Sequence, residues 1–285
     1  MTASTKERYE DLAAQLADGI DALVDSDAWQ AHLAHQARFR RYSFRNTMLI
    51  VMQCQQATQV AGKTKWAEMG RTVIDGATPI LIWGPTTRKA TTTNEDGEEE
   101  TVTFGSFRLC PVYDVSQTEG DEMPPSPCHL LDGEDEHGMF DRLVTVAGGI
   151  GFKVWQTPEI DGYPGANGLC EHGARKITVA SDRSPLQQVK TLIHELAHAI
   201  LHEHVDYVAT RGDCELEAES VAYIVASTLG LDTSAYSFGY VANWQGGSAK
   251  RARKQIKASL GNIQKAAAQI TGGLEKQEVA VAAAA

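Results

Sequence analysis

The chain has 285 residues, 42% hydrophobic and 22% charged, enough for one large or two modest domains with buried cores. It contains no run near the roughly 18 apolar residues of a membrane span. Its start, MTASTKERYEDLAAQLADGI, lacks the basic-then-apolar pattern of a secretion signal, so neither a membrane nor export is expected. Five cysteines, at 54, 110, 128, 170 and 214, are odd in number and never spaced CxxC, which excludes a disulfide framework and a Cys-rich zinc knuckle and predicts a cytoplasmic protein. The net charge of -11 alone disfavours nucleic acid, but it is unevenly spread. Between 38 and 89 nine basic residues face only Glu68 and Asp75, a net of +7; between 95 and 136 thirteen acids face only Arg108, a net of -12. That distribution reads as an anion-binding module followed by an acidic connector.

In chain order, Tyr9, Leu12, Leu16, Ile20 and Leu23 recur at helical intervals, and Trp29, Leu33 and Ala37 mark a second helix. A third starts near Ser43 and carries Phe44, Met48, Leu49, Val51 and Met52. The period then changes. Residues 78–83 form a short apolar run between Gly76 and Gly84, a buried strand, and TVTFGSFRLCPVYDV at 101–115 predicts one or two more. Polar TTTNEDGEEE at 91–100 reads as a hairpin tip, and the Pro-rich acidic stretch to 138 as a connector. Beyond it come a helix over 140–147, a strand over 151–155, a turn cluster over 162–168 and a strand over 176–180. Ser184-Pro185 opens a long helix through Ile200, another spans about 215–229, and a last one, basic at its start, spans about 248–270.

The most specific motif is His194-Glu195-Leu196-Ala197-His198. On a helix, residues i and i+4 share a face, so two imidazoles can hold one zinc ion (Zn2+) while Glu195 stands beside them as general base. A third protein ligand is required, and three candidates compete. His204 has the spacing of the metzincin histidine but lacks the helix-breaking glycine, Leu201 standing there, and on an unbroken helix it points about 80° away from His194. His202 is two turns from His194. The third option is an acid from Cys214-Glu215-Leu216-Glu217-Ala218-Glu219. Glu215, Ala218, Glu219 and Ala222 share one helix face, with two alanines to permit close approach, so Glu215 is assigned as the ligand. Glu219 is assigned as hydrogen-bond acceptor for a ligating histidine, and Glu217 as solvated surface.

These segments, TLIHELAHAILHEH followed by CELEAESVAYIVASTLGL, resemble the ImmA/IrrE-type zinc peptidases, a likeness that implies His194, Glu195, His198 and Glu215 as the site. The first half, RNTMLIVMQCQQATQVAGKTKWAEMGRTVIDGATPILIWGP, resembles the single-stranded-DNA-binding domain of ArdC-type antirestriction proteins. Asn46, Gly62 with Trp66, the Gly70-Arg71-x-Val73-x-x-Gly76 run and the later PVYDVSQTEG carry that likeness. It implies a mobile-element protein that binds single-stranded DNA.

Single strands are bound by a basic groove with aromatic platforms. Arg38, Arg40, Arg41, Arg45, Lys63, Lys65 and Arg71 supply the charge. Trp66, between Lys65 and Glu68, is expected partly exposed and able to stack; Trp83 is expected in the core, and Tyr42 suits either role. The expected fold is α+β: a DNA-binding α/β module at 1–118, a connector at 119–138, a zincin-like domain at 139–245 and a basic helix with an Ala-rich tail at 246–285. The expected partners are single-stranded DNA and a protein or peptide substrate. A rival expectation is a regulatory peptidase of the ImmA type that cleaves a repressor without binding DNA.

Overall fold

In the computed structural model of the chain, the described residues are 11–12, 14–16, 18, 20, 23, 26–93, 99–122, 138–231 and 249–284. A first helical stretch buries Leu12, Leu16 and Ile20. The helices that follow are α1 (Ser26–Arg38), α2 (Phe44–Gln53), α3 (Lys63–Glu68), α4 (Met139–Gly149), α5 (Pro185–Leu201), α6 (Tyr207–Thr228) and α7 (Ala249–Ala284). The strands are β1 (Val60–Ala61), β2 (Arg71–Val73), β3 (Ile80–Thr93), β4 (Glu99–Asp114), β5 (Thr118–Gly120), β6 (Lys153–Thr157), β7 (Gly168–Glu171) and β8 (Lys176–Ala180). The α+β class is as expected, and no helix among the described residues is long and apolar enough to cross a membrane. The chain divides into two compact units, one drawn from Met1–Ala17 and Arg45–Pro124, the other from Asp18–Phe44 and Pro125–Ala285.

The first unit is built on a long antiparallel hairpin in sheet order β1-β4-β3. The apolar run at 78–83 does not end at Gly84-Pro85; the strand continues to Thr93, because β4 supplies a partner throughout. Pro85 is tolerated for a geometric reason. Leu81 and Trp83, of the same parity, turn their backbone groups away from β4, so the N–H that Pro85 lacks would face the open edge. That edge is satisfied by α2. Asn46 donates to the Trp83 carbonyl at 2.9 Å and accepts from its N–H at 2.9 Å; Gln53 does the same for Leu81 at 2.9 and 2.9 Å. Two side-chain amides thereby cover a strand edge that would otherwise invite pairing.

Side chains alternate across the hairpin. Ile80, Ile82 and Val112 enter the core, whereas Trp83, expected there, is only half-buried on the opposite face. Trp66 reverses its expectation as well. It is 1% exposed and its Nε1 donates to the Tyr113 carbonyl at 2.9 Å, so its ring fastens α3 to β4 and offers no face to a base. Asp114 closes β4. Its buried carboxylate accepts from the N–H groups of Thr58, Gln59 and Ser116 and from the Ser116 hydroxyl, which accounts for the place of aspartate in PVYDVSQTEG. The connector expected from 119 begins later, since β5 pairs with β2. Its residues 123–137 lie outside the described residues, as do 94–98 of the hairpin tip, between paired Thr93 and Glu99.

The second unit holds a three-stranded sheet in order β6-β8-β7, with β6 parallel and β7 antiparallel to β8. Strand β7 follows the turn cluster directly and carries one apolar side chain, Leu169, and one cysteine between glycine and glutamate, too little pattern to read as a strand. Helix α5 starts as its sequence dictates: Ser184 Oγ accepts from the Gln187 N–H at 3.3 Å and proline occupies the first turn. It packs against β7, β8, α4, α6 and α7 through Leu192, Ile193 and Leu196, all 0% exposed. Helix α1 also belongs to this unit, with Trp29 Nε1 donating to Ser220 Oγ at 3.0 Å. The compact units therefore do not follow a linear boundary at 118.

Candidate metal centre

Helix α5 and its C-cap present His194, His198 and His202 in succession, four residues apart. The Nε2 atoms of His194 and His198 converge to 3.0 Å. Glu215, from α6, brings Oε2 to 3.5 Å from the first and 3.9 Å from the second. A cation about 2.0–2.2 Å from each nitrogen and oxygen would hold tetrahedral donors roughly 3.3–3.5 Å apart. Two imidazoles and a carboxylate at these separations, in an acidic surrounding, fit a divalent cation with a position left open. Small side chains make this approach possible: Ala218 and Ala222 on α6 and Ala197 on α5 are all buried.

Each donor is oriented from behind. His194 Nδ1 lies 3.3 Å from Glu219 Oε2. Glu215 Oε1 accepts from the Tyr207 hydroxyl, whose ring stands edge-on to His198 at 5.9 Å. Tyr207 has no motif spacing to announce it. It is brought in by the start of α6, which carries a non-helical turn at Thr210 before continuing toward Glu215.

The electrostatics follow from burial and from these contacts. Burial lowers His194, but its hydrogen bonds with Glu215 and Glu219 outweigh that and raise it to about 10. Glu215 is held at about 2, first by the hydrogen bond from His194. Burial, then the charge of His194, takes His198 down to about 3. Glu195 is pushed up to about 7, chiefly by burial.

Above Glu195 runs the edge strand β7. A Cβ on Gly168 would stand 2.6 Å from Glu195 Oε1 and 2.6 Å from Thr191 Cγ2, so only glycine lets the strand lie this close. Cys170, two residues on, has its thiol pushed up to about 12 by burial and by Glu195. Together these elements border a cleft of about 920 Å³ that opens onto His194, Glu195, His198 and Glu215.

Glu217 corrects its expectation. It is 9% exposed rather than solvated, and its Oε2 lies 3.2 Å from His202 Nε2. Its place on the helical wheel does turn it away from Glu215, but a wheel carries no sign that α5 and α7 close over that side. His202 is buried at the end of α5, and His204 is exposed beyond it.

The basic residues assigned to DNA are divided between the units. Arg40 and Arg41 lie in the second, where Arg40 pairs with Glu275 at 2.7 Å. Arg45, Lys63, Lys65 and Arg71 lie in the first. Arg71 is spent on structure, donating to the Thr118 hydroxyl and carbonyl at 2.8 and 2.9 Å and so clamping β5 to β2. Lys65 is exposed and pairs with Glu68 at 2.9 Å, while Lys63 lies 5.5 Å from the Tyr113 ring. Tyr42 is half-buried, edge-on to Phe39. In the first unit an exposed aromatic escaped the sequence reading: Phe107, 65% exposed, paired with Pro85 on the outer hairpin face shared with Trp83.

Comparison with known proteins gives matches in both halves. Residues 6–113 match the N-terminal domain of anti-restriction factor ArdC, and residues 159–237 match the IrrE N-terminal-like domain. The uncharacterized protein pXO2-81 of Bacillus anthracis is 37% identical over 73 residues, 24% of this chain; the match spans 12% of that relative's length. The metal-free crystal structure of antirestriction ArdC protein from the R388 plasmid is similar over 82% of this chain and 86% of that one, at 18% identity and a TM-score of 0.50, which shows a common fold. The Mn(II)-bound structure of the R388 protein gives a TM-score of 0.46 at 18% identity, over 82% of this chain and 89% of that one.

Proposed function

The chain belongs to the ArdC type, joining an ArdC N-terminal domain to an IrrE N-terminal-like domain, and from that premise we propose that it is a cytoplasmic antirestriction protein whose first unit binds single-stranded DNA and whose second is a zinc-dependent peptidase domain. The observation that carries the second half is the convergence of His194, His198 and Glu215 beside buried Glu195. When bound, zinc supplies Lewis-acid polarisation of a carbonyl and acidifies water. The chain's own residues do the rest. Glu195 takes a proton from the attacking water and returns it to the leaving nitrogen, a role suited to a carboxyl whose burial has raised its pKa toward neutrality. Strand β7 borders the cleft that receives an extended peptide, and Gly168 keeps the path above Glu195 open.

For DNA, the surface that supports the reading is the first unit's. Arg45, Lys63 and Lys65 supply exposed charge. Phe107, in place of buried Trp66, supplies an aromatic face. Bases stacked on such a face favour unpaired over duplex DNA.

The test is fluorescence anisotropy of the full chain with single-stranded and duplex oligonucleotides over a salt series. Tighter, salt-sensitive binding of the single strand is expected. Replacing Arg45, Lys63 and Lys65 together by alanine should flatten the log–log salt slope by about 0.7 for each phosphate no longer neutralised. Equal affinity for duplex, or no salt-dependent binding, would favour the regulatory-peptidase alternative.

A further inference from the structure

His202 lies too far along α5 from His194 to share its ion, and Glu217 lies outside the donor triangle, yet both are buried and joined to it. His198 turns Nε2 toward His194 and Glu215, and its other nitrogen, Nδ1, lies 2.9 Å from His202 Nδ1. His202 Nε2 lies 3.2 Å from Glu217 Oε2. Glu217 Oε1 accepts from Asn262 Nδ2, on α7, at 3.3 Å. His202 is 4% exposed and Glu217 9%.

We propose that His202, Glu217 and Asn262 are positioning residues of the metal centre, a buried hydrogen-bonded chain that fixes the tautomer and ring plane of His198. The inference rests on the reading of His194, His198 and Glu215 as ligands.

Only one assignment of protons satisfies every link. An imidazole that gives its Nε2 lone pair to a cation is neutral and carries its proton on Nδ1. His198 Nδ1–H must then donate, and His202 Nδ1 must accept. His202 therefore holds its own proton on Nε2, where it donates to Glu217 Oε2. Glu217, acceptor only, ends the chain, and Asn262 fills its second oxygen. A charge in this place needs such partners, because an unpaired buried carboxylate is strongly destabilising. The two ligating histidines are thus backed by carboxylates in different ways: His194 directly by Glu219, His198 through an intervening imidazole. A carboxylate behind a ligating histidine fixes its orientation and raises its basicity. Here the effect must pass through His202, and it ties the centre to α7, a helix far away in sequence.

The test uses the full chain, with zinc and cobalt(II) titrated against a chelating indicator after circular dichroism has compared the metal-free variants. His202→Ala and Glu217→Ala are expected to bind zinc about 10–100-fold more weakly than the unaltered chain, with a shifted cobalt(II) absorption band. His202→Asn keeps an acceptor near the Nδ1 position but breaks the link to Glu217, so it falls between His202→Ala and the unaltered chain. The double variant should be little worse than the poorer single one, since both cut one chain. His194→Ala separates the two readings. If it binds as the unaltered chain does, or if that chain holds no ion, the ligand assignment falls. If it loses the ion while the His202 and Glu217 variants keep full affinity and an unshifted band, the ligands stand and the positioning chain is overturned. Should the alanine variants fail to fold, His202→Asn and Glu217→Gln, which preserve size, decide on the same readouts.

Discussion

Glu195 and Asp114 are both buried carboxylates, and the contrast between them shows how neighbours decide a residue's role. Around Glu195 burial dominates and the carboxyl rises to about 7. Glu195→Gln keeps the shape but cannot accept a proton, so the variant should retain its divalent cation and lose hydrolysis of an unfolded protein such as casein; full activity would remove Glu195 as the base. Around Asp114 burial also raises the pKa, but the hydrogen bonds from Ser116, Thr58 and Gln59 outweigh it and the group is lowered overall. A carboxylate with a depressed folded pKa stabilises the fold above its unfolded pKa, about 3.9, and that stabilisation is lost as the pH falls through the folded value. Asp114→Asn should therefore melt lower at pH 7, and its deficit should shrink as the pH is taken below about 4. A deficit independent of pH would show that shape, not charge, matters there. Of these residues, only Glu195 was fully legible in the sequence, because HExxH ties a spacing to a chemistry. Asp114 was legible only in part: its bonds with Ser116 are local, but the Thr58 and Gln59 N–H groups come from a loop more than fifty residues earlier.

Among the elements, helix α5 and strand β8 could be read almost residue by residue. The first has a cap, a first-turn proline and a periodic apolar face; the second is short and β-branched. The elements that were missed or shortened owe their existence to partners. The outer part of β3 contains glycine, proline and a threonine run, and is a strand because β4 pairs with it. Strand β7 exists because β8 does. Trp66 misled for a related reason. It stands among Lys63, Lys65 and Glu68, but a six-residue helix needs an anchor, and the indole supplies it. The covering of the β3 edge by α2 is a feature of this kind that can be tested. Replacing Asn46 and Gln53 by alanine removes the partners of Leu81 and Trp83; the part-buried Asn46–Trp83 bonds weigh most, at about 1 kcal/mol for each hydrogen bond lost, since the exposed Leu81 groups turn to water. The double variant should melt several degrees lower and show increased concentration-dependent association at the freed edge. Unchanged melting would mean that water replaces the amides without loss.

At the level of the whole molecule, the predicted elements and the two resemblances indicated the α+β class, and the sequence segregates its charge, but the +7 stretch exposes fewer free basic side chains than its count suggests. Within the stretch of +7, Arg40 is paired with Glu275 and Arg71 is bound into the β2–β5 clamp, which leaves a smaller exposed set. Nor could chain order reveal that α1 joins the C-terminal unit, because an amphipathic helix does not specify which core its apolar stripe enters. The metal centre was more legible. Position on the helical wheel singled out Glu215 from three nearby glutamates, and the fold brings its Oε2 within 3.5 and 3.9 Å of the two histidine nitrogens. Under the proposed function, the chemistry of the second unit turns on a divalent cation held by these three residues. The most direct measurement is the zinc content of the full chain and of Glu215→Ala, by mass spectrometry after dialysis against excess zinc and then against buffer. About one zinc per unaltered chain and little in the variant is the predicted result, as for a site with three protein ligands. An unaltered chain without zinc, or a Glu215→Ala variant that holds as much, would contradict the assignment of the metal centre.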